Sequence, residues 1–184
     1  MLQIINTLPC GIKTERFLPK HERYAMTNRL EKGDKAPNVT IPVSDEETIN
    51  LGKPSGAAHV VYFYPRDNTP GCTTESIDFS ALKSKFEALG TQIIGVSKDS
   101  LKSHANFKTK KELTVILASD EDHDASEKFG VWVEKNMYGK KYMGIERSTF
   151  LILADGTIAE DWRKVRVKGH ADAVLEAAKA VLNG

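Results

Sequence analysis

Apolar residues recur along this chain in two patterns, short runs typical of buried strands and spaced stripes typical of amphipathic helices. The run His59–Tyr64 predicts a buried strand that ends at Pro65. Residues 66–71 are rich in turn formers and predict a loop. Apolar residues spaced by three and four then predict a helix that Gly90 terminates: Phe79, Leu82, Phe86 and Leu89.

The same alternation of strands and helices continues to the C terminus. The pattern predicts a strand, a charged helix, a strand, a short helix, two strands joined by an Asp155-Gly156 turn, and a final helix. These segments are, in order, Gln92–Ser97, Ser100–Glu112, Thr114–Ala118, Asp124–Phe129, Ser148–Leu153, Thr157–Trp162 and a helix that includes Val174–Leu182. The βαβα rhythm favours parallel strands and the late hairpin adds antiparallel ones, so we expect an α/β fold with a mixed central sheet flanked by helices.

The first 30 residues differ from the rest of the chain. They carry five basic and two acidic residues and show no sustained period of 2 or 3.6. We therefore expect residues 1–30 to be an N-terminal extension and residues 31–184 to form one domain. Two interpretations of the extension stay open: an organelle-targeting segment, or an appended leader that precedes a start at Met26.

Charge and hydropathy exclude several classes of partner. The formal net charge of the 184 residues is +1, which gives no general attraction to nucleic acid or to anionic membranes. No run approaches the roughly 18 apolar residues that a membrane helix needs. A basic cluster near the C terminus alternates with Trp162, Val165 and Val167, which predicts a strand with one solvated face: Arg163, Lys164, Arg166 and Lys168.

The chain contains two cysteines, Cys10 and Cys72. Two thiols exclude a disulfide scaffold and a four-cysteine zinc site, and they favour a reducing, cytoplasmic location. Cys72 follows Pro70-Gly71 and falls in the first turn of the predicted helix. Unpaired N–H groups and the helix dipole stabilise a thiolate there.

Two interpretations of Cys72 compete. A free cysteine is commonly a small buried hydrophobe, but its place in a turn between a buried strand and a helix favours a functional role. The segment Cys72-Thr73-Thr74-Glu75 has no second thiol at the position that a thioredoxin-type dithiol exchanger needs. A single reactive cysteine after the first central strand, with the mixed sheet, predicts a thioredoxin-like fold.

The segment 65–72 resembles the active-site motif of the peroxiredoxins, in which a proline precedes a threonine by four residues and the cysteine follows three later. The flanking residues are similar to those of the bacterioferritin comigratory protein subfamily, also called the Q type. The resemblance covers about residues 30–182 and includes Ser119–His123, Phe129–Trp132 and Gly144–Phe150.

This resemblance implies a role for each of four residues. Cys72 matches the peroxidatic cysteine, Thr69 the hydroxyl that hydrogen-bonds thiolate and peroxide, and Pro65 the ring that shields the pocket. Arg147 matches the active-site arginine, although an arginine taken alone would more often form a surface salt bridge. The implied activity is a thiol-dependent peroxidase that reduces hydrogen peroxide and organic hydroperoxides through a sulfenic acid at Cys72, in antioxidant defence.

The sequence departs from the usual subfamily pattern at the resolving cysteine. The position five residues after Cys72 is Ile77, and the predicted helix Ser100–Glu112 also lacks cysteine. Cys10, a cysteine of another subunit, or an external thiol could resolve the sulfenic acid. We expect an external thiol, with thioredoxin, glutaredoxin or a small thiol as the reductant, and a monomer or homodimer. A redox-responsive chaperone or peroxide sensor is the alternative function.

The remaining candidate sites point to no cofactor. The acidic run Asp120–Asp124 offers metal-ligand types, but a run that precedes a short helix more commonly caps it. Glycines are dispersed, with no loop that would cradle a phosphate. We therefore expect an enzyme without metal, haem or nucleotide.

Overall fold

The computed structural model describes residues 29–137 and 139–183. The predicted extension, with Cys10, lies outside the described residues except for its last two positions. Leu30 is partly buried against the core. No helix within these ranges is long and apolar enough to cross a membrane.

The described residues form nine strands and four helices. In chain order they are β1 (Thr40–Pro42), β2 (Thr48–Asn50), β3 (Ala58–Phe63), α1 (Pro70–Glu87), β4 (Thr91–Ser97), α2 (Leu101–Lys111), β5 (Ile116–Ser119), α3 (Ala125–Lys128), β6 (Trp132–Met137), β7 (Lys140–Ile145), β8 (Ser148–Leu153), β9 (Ile158–Trp162) and α4 (His170–Leu182).

A five-stranded sheet with the order β5-β4-β3-β8-β9 lies at the centre. β3 pairs in parallel with β4, and β4 with β5, whereas β8 runs antiparallel to both of its neighbours, β3 and β9. The predicted α/β architecture with a mixed central sheet flanked by helices is therefore confirmed.

The central strand β3 is buried on both faces, which explains its unbroken apolar run. Val60 and Tyr62 point into a cluster with side chains of α1, α2 and α4. Val61 and Phe63 point into the opposite cluster, with side chains of β1 and α3. The Tyr62 and Phe79 rings stack with centroids 4.8 Å apart, so α1 is fixed directly on this strand.

The strand register places the ends of two connections side by side. β3 and β8 are antiparallel, and Phe63 at the end of β3 pairs with Ser148 at the start of β8. The loop that leaves β3 and leads to Cys72 therefore emerges beside the residue that precedes β8. That residue is Arg147.

The strand predicted through Arg163 to Lys168 is wrong. β9 ends at Trp162, and Lys164 adopts a left-handed conformation with φ of 50° that breaks the extended chain. The half-buried guanidinium of Arg163 donates to the carbonyls of Gly130, Phe129 and Leu30 instead of facing water.

Two hairpins were not predicted from the sequence. β1 and β2 have three residues each, too few for a clear period. β6 and β7 pair along a hairpin that bears many charged and exposed residues, so the usual apolar alternation is missing. Neither hairpin belongs to the central sheet.

Candidate active site

Cys72 lies in the first turn of α1, as predicted. Thr69 is the N-cap residue with extended backbone, and Pro70 occupies the first helical position, where its missing N–H costs nothing. The first i to i−4 bond of this helix is donated by Thr73 to Thr69, so the N–H of Cys72 belongs to the unpaired first turn. Cys72 is only 1% exposed.

Arg147 is the cation that contacts this thiol. Its Nη2 lies 3.1 Å from Cys72 Sγ, and the same nitrogen lies 3.4 Å from where a side chain at Gly71 would begin. The Arg147 side chain is 16% exposed, so water screens the contact weakly. The contact stabilises a thiolate and leaves further N–H donors for a bound oxygen. The structure thus brings together two residues that are 75 positions apart.

Glu75 completes this cluster, and the sequence analysis missed it. Its Oε2 accepts a hydrogen bond from Arg147 Nη1, and its Oε1 is buried with no partner among the described residues. Burial raises the pKa of Glu75 to about 7, although Arg147 opposes the rise. The sequence did contain a signal for Glu75. It follows Cys72 by three residues, and residues three apart lie on the same face of a helix.

The raised pKa of Glu75 predicts a pH-dependent stability. A carboxyl that titrates near 4.5 in the unfolded chain and near 7 in the fold keeps its proton better when folded, so stability falls as pH rises through this window. We expect Glu75→Gln to remove about 1–3 kcal/mol of that fall. Urea unfolding at pH 5 and pH 8 measures it.

Glu87→Gln is the matched control, because Glu87 lies on the same helix but is exposed. It should leave the pH dependence of the wild type unchanged. An identical pH dependence in wild type and Glu75→Gln would contradict the assignment.

Two further basic side chains surround Arg147. Lys135 donates to the carbonyl of Ile145, and burial together with the charge of Arg147 lowers its pKa. His170 is buried, with Nε2 at 2.8 Å from Thr149 Oγ1, and burial and Arg147 lower its pKa to about 4. His170 is therefore neutral at physiological pH and adds no positive charge of its own beside Arg147.

The two remaining predicted residues, Thr69 and Pro65, lie in the loop between β3 and Cys72. Thr69 Oγ1 donates to the carbonyl of Arg66 at 3.0 Å, which leaves its lone pairs able to accept a hydrogen bond. Pro65 follows β3 and is exposed. Their roles in catalysis stay predictions.

The acidic run near residue 120 provides hydrogen-bond acceptors for backbone N–H groups. The Asp120 carboxylate accepts from the N–H groups of Ala125 and Ser126 at 2.8 and 2.9 Å, which caps α3 as the sequence analysis favoured. Among the residues that the structure describes, no group of three or more His, Cys, Asp or Glu side chains is arranged to hold a metal ion.

Comparisons with known proteins agree with this geometry. A family model described as the AhpC/TSA family matches residues 32–161. Peroxiredoxin Bcp of Xanthomonas campestris is 56% identical over 143 residues, which cover 78% of this chain and 89% of that protein. Peroxiredoxin Bcp of Bacillus subtilis is 46% identical over 150 residues, which cover 82% and 96% of the two chains.

Solved structures give the same result. Peroxiredoxin Q of Xanthomonas campestris has a TM-score of 0.75 and 46% identity, and the match covers 82% of this chain and 97% of that one. A bacterioferritin comigratory protein of the same organism, studied for alkyl peroxide reduction, has a TM-score of 0.76 over 84% and 99% of the two chains. The match confirms the predicted thioredoxin-like fold. Cys72 and Arg147 are in contact, and the family model matches most of the chain. This chain therefore belongs to the AhpC/TSA family, as a thiol-dependent peroxiredoxin related to the Bcp proteins.

Proposed function

We propose that Cys72 performs the peroxidase reaction, with Arg147 and Thr69 as its partners. The observation that carries the proposal is the 3.1 Å contact between Arg147 Nη2 and the buried Sγ of Cys72. The thiolate attacks the terminal oxygen of the hydroperoxide, a sulfur–oxygen bond forms and the O–O bond breaks. The leaving oxygen takes the electron pair and a proton and departs as water or an alcohol, while Cys72 becomes a sulfenic acid.

The surrounding groups stabilise the charge that moves during this step. Negative charge passes from sulfur to the leaving oxygen, and Arg147 offers fixed N–H donors to both. The hydroxyl of Thr69 accepts a hydrogen bond from the incoming hydroperoxide because its own proton is used by Arg66. We propose that the Pro65 ring shields the pocket and limits the access of water. Glu75 accepts a hydrogen bond from the guanidinium of Arg147 and so holds it beside Cys72.

Regeneration of Cys72 requires a second thiol, and we propose that it is external. Ile77 occupies the position of the usual resolving cysteine and is 44% exposed. α2 contains no cysteine either. An external thiol condenses with the sulfenic acid and releases water, and a second thiol then opens the mixed disulfide and restores Cys72.

The burial of Cys72 adds a requirement to this cycle. At 1% exposure the sulfur is out of reach of a protein thiol, so the first turn of α1 must open before reduction. We propose that the reductant is a thioredoxin, a glutaredoxin or a small thiol in a reducing compartment such as the cytoplasm. Parallel assays with thioredoxin and glutathione systems identify which class supports turnover.

A peroxide sensor or redox-responsive chaperone would use the same cysteine without turnover. Such a protein would be oxidised about once per chain and then stall. Consumption of many equivalents of peroxide per chain with dithiothreitol as the reductant supports the peroxidase, and consumption that stops near one equivalent supports the sensor.

Cys10 is expected to be dispensable for turnover. Closing the chain between Cys10 and Cys72 into a disulfide loop would cost conformational entropy. After one equivalent of peroxide we expect sulfenic acid on Cys72, and the same turnover, in the wild type, in Cys10→Ser and in a chain that begins at Met26. Intact mass and non-reducing electrophoresis measure this. A Cys10–Cys72 disulfide in the wild type, with turnover lost in both variants, would overturn the one-cysteine cycle.

A further inference from the structure

One side chain anchors the loop that precedes Cys72. Of residues 65–71, only Asp67 is buried, at 6% exposure, whereas the others are exposed or half-buried. The loop contains Pro65 and Thr69, so the position of both depends on how the loop is attached to the body of the protein. Asp67 is the residue that makes this attachment.

The Asp67 carboxylate is held by three side chains. Oδ1 accepts from Tyr64 Oη at 2.8 Å, and Oδ2 accepts from Ser103 Oγ at 2.7 Å. Oδ2 also lies 2.9 Å from His104 Nδ1, which donates because a carboxylate only accepts. Ser103 and His104 belong to α2, so the carboxylate joins the loop to that helix. The backbone N–H of Asp67 adds a bond to Asp99 Oδ2 at 2.9 Å.

The energetics of this network make the attachment firm. Burial alone would raise the pKa of Asp67, but the hydrogen bonds from His104, Ser103 and Tyr64 outweigh it and lower the pKa. Asp67 is therefore an anion at neutral pH. Hydrogen bonds to a buried anion are stronger than those between neutral groups, and removing one partner leaves buried polar groups unpaired.

The attachment reaches Thr69 through the neighbouring peptide. The carbonyl of Arg66, next to Asp67 in the chain, accepts the hydroxyl proton of Thr69 at 3.0 Å. Asn68 on the other side has a left-handed φ of 58°, a conformation that asparagine adopts more readily than most residues. The direction of the Thr69 hydroxyl therefore depends on the anchored position of residues 66–68.

We propose that Asp67 is a positioning residue for peroxide reduction: by tying loop 65–71 to α2, it holds Thr69 where it can accept a hydrogen bond from the hydroperoxide. Asp67 acts through Thr69 and does not itself contact the substrate. The inference rests on the proposed function of Cys72 and Thr69.

The test separates activation of the peroxide from reactivity of the thiol. Oxidation of Cys72 by hydrogen peroxide needs the pocket donors and acceptors, whereas alkylation by iodoacetamide needs only a reachable thiolate. In Asp67→Asn, the amide keeps one acceptor for Tyr64 but offers N–H groups where Ser103 and His104 donate. We expect stopped-flow oxidation to slow at least tenfold, and alkylation to stay within about threefold of the wild type or to become faster.

Two variants complete the experiment. Ser103→Ala removes one hydrogen-bond donor on α2 and leaves the sequence of loop 65–71 unchanged. We expect a smaller fall in the oxidation rate with an unchanged alkylation rate. Asp120→Asn is the matched control, because Asp120 is also buried and accepts three hydrogen bonds, from Ala125 and Ser126. It should keep the wild-type ratio of oxidation to alkylation even if it lowers the melting temperature.

Each result decides the question. An oxidation-to-alkylation ratio in Asp67→Asn equal to that of the wild type overturns the proposal. This includes a parallel fall of both rates, and a wild-type ratio in Ser103→Ala overturns the proposal as well. If Cys72 were not the residue that reacts with the peroxide, the wild type would show no rapid oxidation of Cys72, so that failure can be told apart from a failure of this inference.

Discussion

Replacing Cys72 with serine is expected to abolish peroxide reduction. A serine hydroxyl is close in size to the thiol and can occupy the same buried position in α1. It stays protonated at neutral pH, however, and a neutral hydroxyl does not attack a hydroperoxide oxygen at a useful rate. Peroxide consumption with dithiothreitol as the reductant should fall to the background rate.

Cys10→Ser is the control for this experiment, since it removes the other thiol of the chain and should keep full activity. Circular dichroism and urea unfolding of Cys72→Ser should show an intact fold. Turnover above background in Cys72→Ser would mean that another group carries the reaction.

The second large effect is expected for Arg147→Lys. Lysine keeps the positive charge but loses the planar guanidinium, which donates to Cys72 Sγ through Nη2 and to Glu75 through Nη1 at the same time. We expect the rate constant for oxidation of Cys72 to fall well over tenfold, which corresponds to about 1.4 kcal/mol or more of transition-state stabilisation. Arg147→Ala should be slower still. Stopped-flow measurement with hydrogen peroxide determines these rate constants.

Arg166→Lys is a suitable control, because Arg166 is exposed and the substitution keeps its charge. It should oxidise at the wild-type rate. Equal oxidation rates for Arg147→Lys and the wild type would show that the arginine has no special role beside the thiolate.

The parts of the fold with strong periodicity could be predicted from the sequence. β3 is a continuous apolar run, and α1 bears the stripe of Phe79 and Phe86 that packs against it. The strand Ser148–Leu153 is observed with the predicted bounds. Cys72 could be located in the first turn of α1 because proline and glycine fix that boundary locally.

Features set by contacts between distant segments could not be predicted. The pairing of Glu75 with Arg147 depends on the register between β3 and β8, which no local pattern encodes. The anchor at Asp67 depends on where α2 packs. Arg163 appeared to belong to a solvated strand because its alternation with apolar residues is local, whereas its half-buried position arises from three carbonyls far away in the chain.

We expect one hydroperoxide to oxidise one sulfur, that of Cys72, on the way to turnover. The most direct measurement is mass spectrometry of the reduced protein after one equivalent of hydrogen peroxide, with dimedone present to trap sulfenic acid and peptide mapping to locate the adduct. We predict one adduct per chain, on the peptide that contains Cys72, once the peroxide has been consumed and the trapping is complete. Consumption of the peroxide with no adduct on Cys72 would contradict the account.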